Sequence, residues 1–228
     1  LSAPYSTLSD AFSAKLGDND TDTIVFKLSE GVYTGTYILD KTTANQSFSI
    51  VGEGLDKTIL QGSASWSNTT ANLLYIRDFN DVSIENLTLC KSAYGFYPRT
   101  CRNISVKNVK FVNCGSEGTV NRHDLTGSQA DQIAYWASSS TNDGGACRIR
   151  DCQEVIINNC QIEYCLRGLR IQDCGTTGKN SIVCNNKVYR TSEAGIYLAA
   201  LLYDGLNGCE NFTIHGNTIR ESFNNSIL

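Results

Sequence analysis

The chain has 228 residues, 41% of them hydrophobic, and a formal net charge of -4. This length and composition predict one domain with a sizeable core, and the acidic balance argues against nucleic acid as the main partner. No apolar run is long enough for a membrane span, and the absence of methionine indicates a mature or excised piece.

The first predicted element is a short amphipathic helix between residues 6 and 16. Leu8, Phe12 and Leu16 recur at every fourth position, which places all three side chains on one helix face. We expect this segment, within residues 1–22, to cover the open end of the domain that follows, because an uncovered sheet edge promotes aggregation.

From residue 72 onward one pattern recurs at a basic spacing of 22 residues. Each unit contains an apolar anchor and, two positions later, a residue that tolerates a left-handed backbone. The anchors are Ile84, Val106, Ile157, Val183 and Ile214, and the bend residues are Asn86, Asn108, Asn159, Asn185 and Gly216. We expect the five anchors to lie above one another on successive coils.

A second short strand precedes each unit, and its middle residue is predicted to face solvent. One unit cannot bury its own apolar side, so the units must stack on one another. The sequence therefore predicts an all-β fold, a right-handed parallel β-helix (solenoid) of about six to seven coils over residues 23–228. A β-sandwich is the alternative, but it would show hairpin turns instead of this period. The period breaks at about 115–144, which predicts an inserted loop or a degenerate coil plus a loop.

Four segments carry a resemblance to a known superfamily: SEGVYTGTYILD (29–40), FSIVGEGLDKTILQG (48–62), AGIYLAA (194–200) and NFTIHGNTI (211–219). They resemble the coils of pectate-lyase-like right-handed β-helix proteins, which include pectinesterases, polysaccharide lyases, alginate epimerases and phage tailspikes. The resemblance implies the fold and does not specify an activity.

The catalytic motifs of these families are mostly missing. The segment from Tyr94 to Arg99 is similar to a Tyr-Gly-Phe-Asp-Pro-His motif of alginate epimerases, but Tyr97 and Arg99 replace its Asp and His. The paired-carboxylate motifs of polygalacturonases are also absent, so glycoside hydrolysis is not expected.

Outward positions of the preceding strands form two predicted columns rich in tyrosine and arginine. Guanidinium groups pair with carboxylates or sulfates and tyrosine rings stack on sugars, so we predict an acidic polysaccharide as partner. The predicted substrate-binding residues are Tyr75, Arg77, Tyr97, Arg99, Arg170 and Tyr197. Asp78, Asp151 and Asp173 follow at the turn, where they either hold the guanidinium groups or bind a Ca²⁺ ion that bridges to the substrate.

The inserted loop supplies candidates for proton transfer beside these columns. Abstraction of a proton from a uronate needs a base, a cation and a proton donor. His123, Tyr135, Arg148 and Arg150 are the candidate catalytic residues of a lyase or C5-epimerase. In the alternative interpretation the charged residues form solvated ion pairs and His123 has no special role.

Ten cysteines without a CxxC pair, together with seven Asn-x-Ser/Thr sequons, favour a secreted, disulfide-braced glycoprotein. Candidate bridges join Cys101 to Cys152, Cys114 to Cys165, and Cys160 to Cys184, with buried reduced thiols as the alternative. The candidate glycosylation sites are Asn19, Asn45, Asn68, Asn103, Asn211 and Asn224, whereas Asn86 belongs to the predicted bends.

Two functions are therefore compatible with the sequence. The first is an extracellular protein that binds, or also modifies, an acidic polysaccharide. The second is a glycosylated structural or adhesive subunit of a fibre or surface layer, in which the C-terminal coil meets a further domain or another copy. No cofactor other than Ca²⁺ is suggested.

Overall fold

The chain folds as a stack of parallel strands with one helix at its N-terminal end. A computed structural model describes residues 5, 7–16, 23–40, 46–62, 72–115, 144–176, 178–191, 194–199 and 208–222. The strands are, in chain order, β1 (Thr23–Lys27), β2 (Gly31–Thr34), β3 (Tyr37–Asp40), β4 (Ser47–Val51), β5 (Thr58–Gln61), β6 (Leu74–Arg77), β7 (Asp81–Ser92), β8 (Tyr94–Arg99), β9 (Asn103–Cys114), β10 (Gly145–Arg150), β11 (Glu154–Asn158), β12 (Gln161–Cys165), β13 (Leu169–Gln172), β14 (Ser181–Cys184), β15 (Lys187–Thr191), β16 (Ile196–Ala199), β17 (Phe212–His215) and β18 (Thr218–Arg220).

These strands form three faces. Face A contains β3, β6, β8, β10, β13 and β16, which form one six-stranded sheet. Face B contains β1, β4, β11, β14 and β17, and face C contains β2, β5, β12, β15 and β18. The long strands β7 and β9 run along both faces B and C and join them into a single twelve-stranded sheet. Neighbouring strands within each face are parallel, as the repeat predicts.

The five predicted anchors occupy one column on face B. Ile84 pairs with Val106, Val106 with Ile157, Ile157 with Val183, and Val183 with Ile214. The first four are fully buried. Because Val106 and Ile157 are direct neighbours, the inserted residues add no coil between them, and the predicted degenerate coil is not present at that point of the stack.

From residue 78 onward the described coils turn at three corners, where one residue adopts a left-handed backbone. Corner 2, between faces B and C, has the predicted residues Asn86, Asn108, Asn159, Asn185 and Gly216, with φ between 49° and 65°. Corner 1, between faces A and B, has Asp78, Thr100, Asp151 and Asp173. Corner 3, between faces C and A, has Lys91, Asn113, Tyr164, Arg190 and Glu221.

The helix spans Leu8–Lys15 and closes the N-terminal end of the stack, as predicted. Thr7 is its N-cap and forms a capping box with Asp10, which satisfies two backbone N–H groups. Phe12 inserts its ring edge-on against Phe26 and Tyr37, with ring centroids 4.7 and 5.7 Å apart. The helix therefore covers the apolar interior of the first coil.

The interior changes character along the stack. Aromatic rings fill the first coils, and inward cysteines fill the middle coils. Near the C-terminal end Asn186 is fully buried, accepts a hydrogen bond from the Cys160 N–H and donates one to the Ile157 carbonyl. A buried amide is tolerated here because its polar atoms have partners.

Several predicted features fall partly or wholly outside the described residues. The inserted loop lies there except for its first and last positions, and so do His123 and Tyr135. In the described part of the chain, no helix is long and apolar enough to cross a membrane.

Candidate functional site

The outer surface of face A carries the two predicted columns in register. Tyr75 pairs with Tyr97, Arg148 with Arg170, and Arg170 with Tyr197. In the second column Arg77 pairs with Arg99, Arg99 with Arg150, and Arg150 with Gln172. Aligned residues on adjacent parallel strands lie about 4.8 Å apart. We call this surface the face A stripe; it consists of Tyr75, Arg77, Tyr97, Arg99, Arg148, Arg150, Arg170 and Tyr197.

Tyrosine rings and guanidinium groups contact one another along the first column. The rings of Tyr75 and Tyr97 form an edge-to-face pair with centroids 5.3 Å apart. The Arg148 guanidinium carbon lies 5.0 Å from the Tyr97 ring centroid, and that of Arg170 lies 6.0 Å from Tyr197. These contacts fix the orientation of the cations at the surface.

Carboxylates at corner 1 hold the arginines of the second column. Asp151 Oδ2 lies 3.5 Å from Arg99 Nε and 3.2 Å from Arg150 Nε, so one carboxylate joins two adjacent coils. Partial burial opposes the charge of Arg99, but Tyr97 and Asp151 outweigh it and raise the pKa of the guanidinium. The position of Asp151 thus agrees with the first of its two predicted roles, which is to hold the guanidinium groups in place.

At the N-terminal end of the stripe two carboxylates surround one guanidinium. Arg77 Nε lies 2.7 Å from Asp40 Oδ1 and 3.3 Å from Asp78 Oδ2. Asp40 is the register partner of Arg77 on the previous coil. The stripe is therefore most cationic in its middle coils and carries an excess of negative charge beside Arg77.

Two residues position the central arginines. The sequence did not indicate Tyr94, and it placed Gln172 in the outward second column, which is wrong because the side chain of Gln172 is buried. Tyr94 is buried, its hydroxyl accepts a hydrogen bond from Arg170 Nη1 at 3.4 Å, and its ring lies 5.7 Å from the Arg148 guanidinium. Gln172 is 1% exposed, and its Oε1 accepts a hydrogen bond from Arg148 Nε at 2.9 Å. Strict alternation from Phe96 assigns Tyr94 to the interior, so the alternation does not indicate its contact with Arg170.

Buried thiols support corner 1 from inside. Cys101 Sγ donates to the Arg99 carbonyl at 3.4 Å, and Cys152 Sγ to the Arg150 carbonyl at 3.2 Å. Cys174 repeats the contact on the next coil, with the Gln172 carbonyl at 3.1 Å. Burial raises the pKa of the Cys152 thiol above its usual range. The Cys152 thiol therefore packs as a neutral donor beneath the stripe, whereas its hydrogen bond to Cys101 lowers the pKa of the Cys101 thiol.

The ten cysteines are unbonded in the structure, nine of them buried. Cys101 neighbours Cys152, and Cys114 neighbours Cys165, so two candidate bridges join residues in contact. The third candidate pair is out of register, because Cys184 pairs with Asn158 and Cys160 stands beside Asn186. Burial raises the pKa of Cys160 to about 12.

The candidate glycosylation sites differ in accessibility where they are described. Asn103 donates from Nδ2 to Asp81 Oδ1 at 2.5 Å and accepts from Lys179 Nζ at 2.8 Å. Asn211 is exposed at its turn. Asn19, Asn45, Asn68 and Asn224 lie outside the described residues.

Of the four candidate catalytic residues, Arg148 and Arg150 lie on the face A stripe, while His123 and Tyr135 are not among the described residues. Within the described ranges no group of three or more His, Cys, Asp or Glu side chains is arranged to hold a metal ion. A calcium ion at Asp78, Asp151 or Asp173 stays a prediction.

Comparison with known proteins identifies the family. Residues 67–228 match the family described as right handed beta helix region, which covers more than half of the chain. The chain belongs to the right-handed β-helix family. No curated protein sequence matches it significantly. Membership of the β-helix family agrees with the parallel strands and three-faced coils, and it is compatible with a carbohydrate-active or a structural protein.

Proposed function

We propose that this β-helix protein binds an acidic polysaccharide along the face A stripe in an extracellular setting. The alignment of Tyr75, Tyr97, Arg148, Arg170 and Tyr197 in one outward column carries the proposal. A polymer that runs along the stack meets a ring or a cation at every coil. Uronate carboxylates or sulfates pair with guanidinium groups, and sugar faces stack on tyrosine.

The held geometry of the cations supports binding. Arg148 is fixed by Gln172 and by the tyrosine rings, so little rotamer freedom remains to be lost when a ligand binds. Asp151 Oδ2 lies within 3.5 Å of the Nε atoms of both Arg99 and Arg150, so the ion pairs restrain these two guanidinium groups at the corner. A preorganised cation binds an anion more tightly than a mobile one does.

We further propose that the same surface chemically modifies the bound polysaccharide, by lyase or C5-epimerase chemistry. In that case Arg148 and Arg150 neutralise the uronate carboxylate, and His123 and Tyr135 transfer protons. A structural or adhesive role is the second candidate, and the loss of the epimerase motif at Tyr97 and Arg99 favours it.

Incubation with alginate, polygalacturonate and heparin separates these functions. Binding without new ultraviolet absorbance supports a binding protein, whereas an absorbing unsaturated product supports a lyase. An epimerase is detected by a change in the uronate composition of the polymer. Failure of all three polymers to bind would contradict the proposal and leave the structural role.

A further inference from the structure

A second basic surface lies on face C and corner 3, around the corner from the face A stripe. Five basic side chains occur there in the described residues from position 91 onward, namely Lys91, Lys110, Lys187, Arg190 and Arg220. Only Glu163 and Glu221 oppose them on the same described surface. The local excess of three positive charges contrasts with the net charge of -4 for the whole chain.

The parallel register arranges these residues in columns. Gln161 stands between Lys110 and Lys187, and Tyr189 stands between Glu163 and Arg220. Lys187 and Arg220 are exposed to solvent. Lys110 is paired with Glu163 at 3.2 Å, which leaves the charge excess toward the C-terminal coils.

Corner 3 adds an aromatic cluster to this charge. The rings of Tyr164 and Tyr189 form an edge-to-face pair with centroids 5.9 Å apart. The Arg190 guanidinium carbon lies 5.1 Å from the Tyr189 ring centroid and 5.8 Å from that of Tyr164. Arg190 Nε lies 2.6 Å from Glu221 Oε2. Face A has the same arrangement of two tyrosines and one arginine. The ring centroids of Tyr75 and Tyr97 are 5.3 Å apart, and the Arg148 guanidinium lies over the Tyr97 ring.

We propose that this surface, the face C patch of Lys110, Tyr164, Lys187, Tyr189, Arg190 and Arg220, is a second binding surface for acidic polysaccharide. The inference rests on the proposed function of face A, because the same chemistry of paired tyrosines and arginine occurs on both surfaces. Charge complementarity argues for an anionic ligand, and the half-buried hydroxyl-bearing rings of Tyr164 and Tyr189 suit sugars.

Two surfaces on adjoining faces have a consequence for long ligands. Ser92, the last residue of β7 on face C, is separated from Tyr94, the first residue of β8 on face A, by one residue. A flexible chain can therefore pass around corner 3 and contact both surfaces. Binding of the second part of the chain is then intramolecular and raises the apparent affinity.

Titration calorimetry with polygalacturonate fragments tests the number of sites. A fragment about four sugars long should bind at two sites, and one about twenty sugars long should bind at least about tenfold more tightly than the short one. Lys187→Gln/Arg220→Gln should reduce the short-fragment stoichiometry to one site and remove the advantage of the long fragment. Tyr189→Ala should have the same direction of effect.

A charge-matched control comes from face B, where Lys27 and Lys107 are exposed. Lys27→Gln/Lys107→Gln should leave the affinities for the short and the long fragment within about twofold of those of wild type, since non-specific charge contributes little at exposed positions. Thermal unfolding of each variant confirms that the fold is retained. Lys187 and Arg220 are exposed and Tyr189 is half-buried on the outer side of β15, so the fold should persist in these variants.

The outcomes separate the second surface from the first. If Lys187→Gln/Arg220→Gln matches wild type while Arg148→Gln loses binding, the second surface is wrong and the proposed function stands. If only the face C variant loses binding, the face C patch is a binding surface and the proposal for face A fails. Equal binding of single-stranded DNA of the same length would overturn the choice of a polysaccharide ligand.

Discussion

Asn159 Nδ2 donates a hydrogen bond to Asn108 Oδ1 at 3.5 Å across a separation of 51 residues. The equivalent hydrogen bond, from Asn108 Nδ2 to Asn86 Oδ1, is 2.6 Å long and joins residues 22 positions apart. The coils of Asn108 and Asn159 are therefore direct neighbours in the stack, although 51 residues separate the two asparagines in the chain. Gly115 N donates to the Ser92 carbonyl and Gly145 N to the adjacent Ala93 carbonyl, both at 2.8 Å.

We expect residues 116–143 to be dispensable for folding. Replacing them with a linker of about three residues should change the free energy of unfolding by no more than about 2 kcal/mol, because each halving of a loop's length is worth about 0.6 kcal/mol. Denaturant unfolding checks this. Loss of the cooperative transition would show that the inserted residues are part of the folding unit.

The same variant locates the proposed chemistry. If the protein is a lyase or epimerase, the deletion should abolish turnover while binding to the face A stripe persists. His123→Ala and Tyr135→Phe are the single-residue controls. Full turnover without the segment would remove both residues from any mechanism.

Thr100 is the β-branched residue among the described left-handed positions, with φ of 54°. The other described corner 1 positions have Asp, a residue type that tolerates this backbone better. Thr100→Asn should raise the free energy of unfolding by about 0.5–1 kcal/mol. Thr218→Asn, on the exposed strand β18, is the control and should be neutral or slightly destabilising. A stability loss for Thr100→Asn measured by denaturant unfolding would contradict this reasoning.

Oxidation should distinguish the candidate cysteine pairs. Peptide mapping after mild oxidation should find bridges between Cys101 and Cys152 and between Cys114 and Cys165, whose thiols are in contact. Cys160 and Cys184 should stay free, because they are not in register. A peptide that joins Cys160 to Cys184 would mean that the coils are shifted relative to this structure.

Sequon occupancy should follow the exposure and the side-chain partners of the two asparagines. Asn211 is exposed and its Nδ2 donates to the Thr176 carbonyl at 3.1 Å, whereas Asn103 is half-buried. When the chain passes through a eukaryotic secretory pathway, Asn211 should carry a glycan and Asn103 should not. The Asn103 side chain is bonded to both Asp81 and Lys179, so a glycan there would disrupt two partners. Glycopeptide mass spectrometry measures both sites in one sample. Asp81→Ala is the informative variant, because it frees Asn103 Nδ2 and should increase its occupancy.

The repeat predicted the fold because the same pattern of apolar and bend residues recurs from coil to coil. An apolar anchor followed by Asn identified face B and corner 2, and counting from them placed the outward columns of face A. Corner 3 could not be predicted, since Lys91, Tyr164 and Arg190 are not residue types that indicate a left-handed backbone. Their conformation is imposed by the strands on either side.

The sequence predicted the outward columns of the candidate site but not the residues that hold the arginines in place. Outward alternation is local, so Tyr97 and Arg148 could be assigned from the sequence. Tyr94 and Gln172 act through contacts between different coils, which depend on side-chain length and packing. The pairing of Cys160 with Cys184 failed to align because Cys160 follows its corner residue whereas Cys184 precedes its own.

Affinity for polygalacturonate of wild type and Arg148→Gln tests the role of the face A stripe most directly. Loss of one charged hydrogen-bonding group costs about 1.5–3 kcal/mol, so binding of a short fragment to this surface should weaken about ten- to hundredfold. Arg148→Lys should recover only part of the loss, because it restores the charge without the planar fork. Lys107→Gln on face B should bind as wild type does. Equal affinity of wild type and Arg148→Gln, with both folded, would contradict polysaccharide binding on this face.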